Sequence, residues 1–215
     1  MKNVILTITG PSLTGKTTLA NFLIQNNDTF QTVIAYTTRP QRLGEENGVH
    51  YHFVDKNTFK EMIINDEFIE FAEVGPQGSK EFYGTSKKEL IKIFNLNKNP
   101  LLVIEPEGAN NLQKFAKNSN LKIYQIFINN PRDILLQRLF ERFQNDKLAK
   151  PENYTKRLIN MLDIEPQKWI EPALNKTQHY DLIIPFFNKN ENEVIANIHL
   201  NLDNFLNCEP KRKFK

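Results

Sequence analysis

Cysteine is nearly absent from this chain: Cys208 is the one thiol among 215 residues, so no intrachain disulfide framework can hold the fold together. That suits a reducing compartment, and a cytoplasmic setting is the expectation. No apolar run approaches the roughly 18 residues of a membrane span, and the opening "MKNVILTITG" has too short an apolar stretch for a signal peptide. A membrane is therefore not an expected partner. A formal net charge of +3 is too small to mark a nucleic-acid binder, so any functional positive potential must come from local clustering. Glycine is scarce, with 8 in the chain, which makes each one informative.

What remains is an ordinary globular composition, 40% hydrophobic and 25% charged, long enough for one well-buried domain. Apolar runs predict strands at 4–9, 33–35, 49–54, 101–105, 123–128 and 181–184. Helical periodicity predicts helices at 16–25, 58–65, 87–94, 110–117, 131–143, 154–174 and 191–207. Strands and helices alternate in the outer thirds, which argues for an α/β fold with a mostly parallel core sheet. The stretch 35–87 differs, with short strand-like pieces, aromatics and turns around one helix, and reads as an inserted, mostly antiparallel subdomain. "FQNDKLAKPENYTKR" (143–157) interrupts a helical region as a lid or mobile loop would, and the tail 209–215 is basic. No internal repeat is evident, and the sequence leaves monomer and homodimer equally open.

"GPSLTGKTT", covering Gly10, Pro11, Ser12, Leu13, Thr14, Gly15, Lys16, Thr17 and Thr18, matches G-x-x-x-x-G-K-[ST]. It follows a predicted strand and opens a predicted helix. Gly10 and Gly15 let the backbone turn so that successive N–H groups converge on phosphate oxygens at a helix N-terminus. Lys16 supplies a cation for the outer phosphates, and the Thr17 hydroxyl can sit on Mg²⁺. Background usage gives this pattern by chance in about one chain in a hundred of this length, and its context lowers that further. A nucleoside triphosphate is the expected ligand of the loop. Leu13, in the middle of it, limits the available backbone range relative to glycine.

"YTTRPQRLGEENGVHYHF" (36–53) places Arg39 and Arg42 around Pro40, which pushes Arg39 toward an extended conformation. Two guanidinium groups on one short loop can fork onto a single phosphate dianion, with Tyr51 and Tyr83 as neutral hydroxyl donors. Taken alone, the segment is equally readable as surface decoration. His50 and His52 fall on one face of a predicted strand, but no acid or cysteine spacing completes a metal site. Trp169 and the Phe-rich C-terminal part read as core.

The succession "GPSLTGKTT", "TTRPQRLGEENGVHYHFV", "EFIEFAEV", "YGTS" and "RLFER…KRL" resembles the guanylate kinase family in order and spacing over nearly the whole chain. The resemblance implies the P-loop nucleoside monophosphate kinase fold as a single domain over 1–208. Its core would be about 1–34, 88–137 and 158–208, its monophosphate-binding subdomain about 35–87 and its lid about 138–157. It implies ATP- and Mg²⁺-dependent phosphorylation of GMP, and of dGMP. By position, Arg39, Arg42, Tyr51 and Tyr83 would hold the GMP phosphate with Glu45 close by. Glu70 would accept from the guanine N1–H and N2–H₂ edge, with Thr85 near the base and Glu105 beside the Mg²⁺ water shell or the base. Lys16, Arg39, Arg138, Arg142 and Arg157 would carry the phosphoryl transfer by positioning and charge neutralisation.

The chain departs from that family at Ala35 (usually serine), at "LVIEPEG", where Val103 and Glu105 replace an Asp-x-Asp pattern, and around Pro185, where an asparagine is usual. Two alternatives follow: a kinase of relaxed acceptor specificity, and a non-catalytic binding module that keeps the old monophosphate site.

Overall fold

The computed structural model describes residues 4–42, 44–74, 80–117, 119, 121–145 and 151–185, and residues 196, 198, 200, 201 and 204. Nine strands and seven α-helices are described: β1 (Val4–Thr9), α1 (Lys16–Asn26), β2 (Phe30–Thr32), β3 (Tyr36–Thr37), β4 (His52–Phe53), α2 (Lys56–Ile64), β5 (Phe68–Val74), β6 (Glu81–Ser86), α3 (Lys87–Asn95), β7 (Asn99–Val103), α4 (Pro106–Lys117), β8 (Lys122–Ile128), α5 (Arg132–Asn145), α6 (Pro151–Ile159), α7 (Glu171–Leu174) and β9 (Leu182–Ile184). This is an α/β fold whose core-sheet pairs β2–β7 and β8–β9 are parallel.

Two compact units emerge from the packing of the described residues, one within 4–7 and 20–123, the other within 8–19 and 124–204. Within the first, core strands run in the order β2-β7-β1. Ile5, Val33, Leu90, Ile93, Leu102 and Leu112 form its apolar centre. The first unit also holds a four-stranded sheet, β4-β3-β6-β5, over residues 36–86. Its β3–β6 and β5–β6 pairs are antiparallel, while the two-residue β3–β4 pair is parallel. Phe59, Met62 and Phe68 close this sheet against α2, whose N-cap Asp55 accepts from the Asn57 and Thr58 amides.

Within the second unit the order is β1-β8-β9. Leu135, Leu139 and Met161 form a cluster there that Leu13, Tyr154 and Leu158 flank. Between α6 and α7 the backbone runs through two π-helical segments, Asn160–Ile164 and Pro166–Ile170.

Several expected boundaries shift. The strand expected at 33–35 lies at Phe30–Thr32, with the Val33 amide still donating to the Leu101 carbonyl at 2.9 Å. The strand expected over 49–54 shrinks to His52–Phe53, because Gly48, at φ +79°, turns the chain and the Val49 and His50 amides bond back to Glu46. His50 therefore leaves the strand, and its Nδ1 accepts from the Glu46 amide. The helix expected over 154–174 begins at Pro151 and loses its α-helical register at Asn160, with Pro166, which lacks an N–H, inside the irregular stretch. Trp169, read as core, is half-buried. Most of the helix expected at 191–207 lies outside the described residues, though Ala196, Ile198, Leu200, Asn201 and Asn204 are helical. Cys208, the tail 209–215 and residues 146–150 of the expected lid also lie outside them.

Candidate active site

In the second unit, β1 delivers the chain into the loop 10–15, and α1 starts at Lys16. Gly10 sits at φ +142°, and a Cβ there would collide with the Ile128 carbonyl of β8. Only glycine lets the strand exit so close to its neighbour. Gly15 is also in positive φ, at +94°, and so is Leu13, at +66°. The leucine's left-handed backbone costs about 1–2 kcal/mol. Packing its half-buried side chain on Leu135, Leu139 and Met161 offsets part of that, since each buried CH₂ is worth about 0.8 kcal/mol.

The Lys16 ammonium donates to the carbonyls of Gly10 (2.7 Å) and Pro11 (2.9 Å) on the loop's own backbone. Thr14 Oγ1 donates to the Pro11 carbonyl, while Thr17 and Thr18 are exposed at the start of α1. From α5, half-buried Arg138 donates to the Leu13 carbonyl at 3.0 Å. Arg142, one turn further, is exposed, and its carbonyl accepts from the Tyr154 hydroxyl. Arg157 lies half-buried on α6. Glu165, 2% exposed, accepts from the Ser12 amide at 3.1 Å. Sequence reasoning missed it because nothing distinguishes a single glutamate in a helical stretch.

In the first unit, Arg39 follows β3, and its amide donates to Thr37 Oγ1. Its guanidinium grips Glu45 through two parallel bonds of 2.8 Å and lies over the rings of Tyr51 (5.3 Å) and Phe53 (5.5 Å). Tyr51 and Tyr83 meet edge to face at 6.0 Å. The Arg39 guanidinium and the Arg42 amide together hold the Glu45 carboxyl below the usual carboxylate range. Arg39, Glu45, Tyr51 and Tyr83 are thus brought together, whereas Arg42 contributes its backbone and leaves its side chain exposed.

Glu70 and Thr85 are register partners across β5 and β6, and Thr85 Oγ1 donates to Glu70 Oε1 at 2.6 Å. Both are buried, at 7% and 1% exposure, and burial pushes the Glu70 carboxyl up in pKa. Helix α4 crosses so close that a Cβ on Gly108 would stand 2.6 Å from Glu70 Oε2. Gly108 was also missed, although the scarcity of glycine was a signal that could have found it. Glu105 is half-buried between β7 and α4, and its carbonyl accepts from the Ala109 amide. The arrangement can hold an anion beside Arg39 and present a buried carboxylate to paired N–H donors. Among the described residues, no group of three or more His, Cys, Asp or Glu side chains could hold a metal ion, and no helix is long and apolar enough to cross a membrane.

Comparison with known proteins adds a family. The guanylate kinase family model matches residues 1–165. Guanylate kinase from Helicobacter hepaticus is 37% identical over 145 residues, which are 67% of this chain and 70% of that protein. The Clostridioides difficile guanylate kinase is 37% identical over 113 residues, so the match spans about half of it, 53%. Among solved structures, guanylate kinase from Anaplasma phagocytophilum superposes with a TM-score of 0.61 at 26% identity, covering 94% of this chain and 86% of that one.

Proposed function

This chain belongs to the guanylate kinase family, and on that premise we propose that it transfers the γ-phosphoryl group of ATP to GMP and dGMP. An oxygen of the acceptor's phosphate bonds to the γ-phosphorus while the bond to the β–γ bridging oxygen breaks, giving ADP and the nucleoside diphosphate. The acceptor is already an oxyanion, so no side-chain base is required. Orientation and charge neutralisation carry the reaction.

The observation that supports GMP most directly is the buried Glu70–Thr85 pair, in the same small sheet that Arg39 follows. An ionised Glu70 accepts from guanine N1–H and N2–H₂, which adenine does not present together. Leaving such a buried group unpaired with the wrong base can discriminate by up to ~10⁴-fold. Arg39 and Arg42 bind the acceptor phosphate with Tyr51 and Tyr83, and Glu45 keeps the Arg39 fork oriented. Glu105 borders the base. The loop 10–18 receives the ATP phosphates, with Lys16 on the outer ones. Arg138, Arg142 and Arg157 neutralise charge on the transferring group. In this reading residues 35–87 form the monophosphate-binding part and 138–157 the lid.

Thr17, exposed at the helix start, suits a Mg²⁺ carried mainly by the triphosphate, which needs only one or two protein oxygens. The Thr17 hydroxyl would help hold the metal, which would supply charge neutralisation to the phosphates.

An ADP-release screen with GMP, dGMP, AMP, CMP and UMP as acceptors tests the proposal. Turnover should be strong with the two guanine nucleotides and weak with the rest. Equal turnover of AMP, or none with any acceptor, would refute it.

A further inference from the structure

Resting on the loop assignment just made, we propose that Glu165 is a positioning residue for the phosphate-binding loop, holding its Ser12–Leu13 turn in the shape that receives the triphosphate. A carboxylate beside an anion-binding loop is electrostatically unfavourable for the ligand, so its presence there needs a reason. Glu165 is 2% exposed, one oxygen accepts from the Ser12 amide, and the other has no hydrogen-bond partner among the described residues. A buried acceptor left unmade costs about 1–3 kcal/mol, so this side chain is not there for its own stability.

Two further contacts reach the same turn from the same part of the chain. Arg138 of α5 donates to the Leu13 carbonyl, and the Leu13 side chain packs against Leu135, Leu139 and Met161. The turn is thus gripped at one amide, one carbonyl and one side chain. Because Leu13 lies at φ +66°, a loop left to itself would relax toward negative φ and re-aim the peptides on either side of it. Arg138 fixes the carbonyl of the peptide that follows that strained residue, and Glu165 fixes the Pro11–Ser12 peptide one residue before it.

The backbone explains how Glu165 reaches the loop. Its amide bonds to the carbonyl of Asn160, five residues back, and Pro166 follows it at the start of the next π-helical segment. This wider winding inserts extra backbone between Met161, whose side chain belongs to the apolar cluster, and Glu165. π-Turns of this kind recur where a side chain must be re-aimed for function.

The test is ATP binding by calorimetry, with initial-rate kinetics, on the full chain and its Glu165→Ala, Glu165→Gln and Leu13→Gly variants. Glu165→Ala should weaken ATP binding about tenfold while the KM for GMP moves less than about twofold, the loss corresponding to one hydrogen bond to a charged group. Glu165→Gln, whose amide oxygen can still accept from Ser12, should recover most of the affinity. Leu13→Gly should weaken ATP binding too, because it removes the packing that holds the turn. If Glu165→Ala does not fold, the Gln and Leu13→Gly variants decide the matter. Unchanged or tighter ATP binding in the Ala variant overturns the proposal, since tighter binding means the carboxylate competes with phosphate. Equal shifts for ATP and GMP also overturn it, as does tighter ATP binding by Leu13→Gly. Failure of the unsubstituted chain to bind ATP would overturn the loop assignment itself, and the proposal with it.

Discussion

In the proposed donor loop, 10–18, the groups offered to an anion are backbone amides, on a turn shaped by the positive-φ residues Gly10, Leu13 and Gly15. In the proposed acceptor site, within residues 36–86, the groups offered to a phosphate are side chains, Arg39, Tyr51 and Tyr83, and Glu70 is offered to the base, all standing on short strands and turns. The first arrangement is held from outside, by Arg138, Glu165 and the Leu135–Leu139–Met161 cluster. The second holds itself: Glu45 straightens Arg39, Thr85 fixes Glu70, and Gly108 supplies the clearance. A backbone cradle accepts any triphosphate and asks mainly for correct peptide orientation. A side-chain pocket can discriminate, at the cost of depending on each member. On the proposed function, donor binding would rest on geometry and acceptor choice on chemistry.

Substitutions can break or sharpen this contrast. Lys16→Ala should lower kcat by on the order of 10³-fold or more, since it removes the cation meant for the transferring phosphates. Near-normal steady-state activity would refute the donor assignment. Glu70→Gln should cost about 10²-fold in kcat/KM for GMP, because a charge-assisted acceptor becomes a neutral one, with little change in the KM for ATP. Arg39→Ala should raise the KM for GMP by about 10- to 10²-fold, the equivalent of one charge-assisted bond. Arg39→Lys should not restore it, because an ammonium lacks the fork that meets Glu45. Gly108→Ala should raise the KM for GMP by about tenfold while sparing ATP, as the added methyl pushes the Glu70 carboxylate out of place.

The smallest effect is on pH and stability. Burial raises the Glu70 pKa, so the folded chain takes up the proton more readily than the unfolded chain does. Its contribution to stability is fully present below the ordinary carboxylate pKa and is lost as pH rises through the raised one. Glu70→Gln should therefore raise the thermal midpoint at neutral pH, measured by circular dichroism, while harming catalysis. In the wild type, the KM for GMP should begin to climb on acidification while still above the ordinary carboxylate range. Glu45 has the opposite sign: its depressed pKa makes its contribution available above the ordinary range and withdraws it only in stronger acid.

The two regions were also unequally legible in the sequence. A backbone cradle depends on glycines at fixed spacing, so "GPSLTGKTT" announced strand, loop and helix together, and β1 and the start of α1 fall where expected. Even the oddity of Leu13 was visible, though not the cluster that accommodates it. The parallel core sheet followed from the alternation of apolar runs. By contrast, the Glu70–Thr85 pair is made between strands, and the Gly108 contact by a helix far along the chain, so no local pattern encodes either one. Glu70 and Thr85 were reachable through family resemblance alone. The strand over 49–54 was misjudged because alternating aromatics and histidines look like a strand until Gly48 turns the chain. The continuous helix over 154–174 was misjudged because 3.6-residue periodicity does not reveal an inserted π-turn.

The most direct test of acceptor choice is a competition. γ-Phosphate-labelled ATP would be supplied with an equimolar mixture of GMP, AMP, CMP and UMP, and the labelled diphosphates separated, for the wild type and for Glu70→Gln. The wild type should place nearly all label in GDP, and the variant should spread it among the products. A wild-type distribution without guanine preference, or the same GDP-dominated distribution in both proteins, would contradict the assignment of base recognition to Glu70.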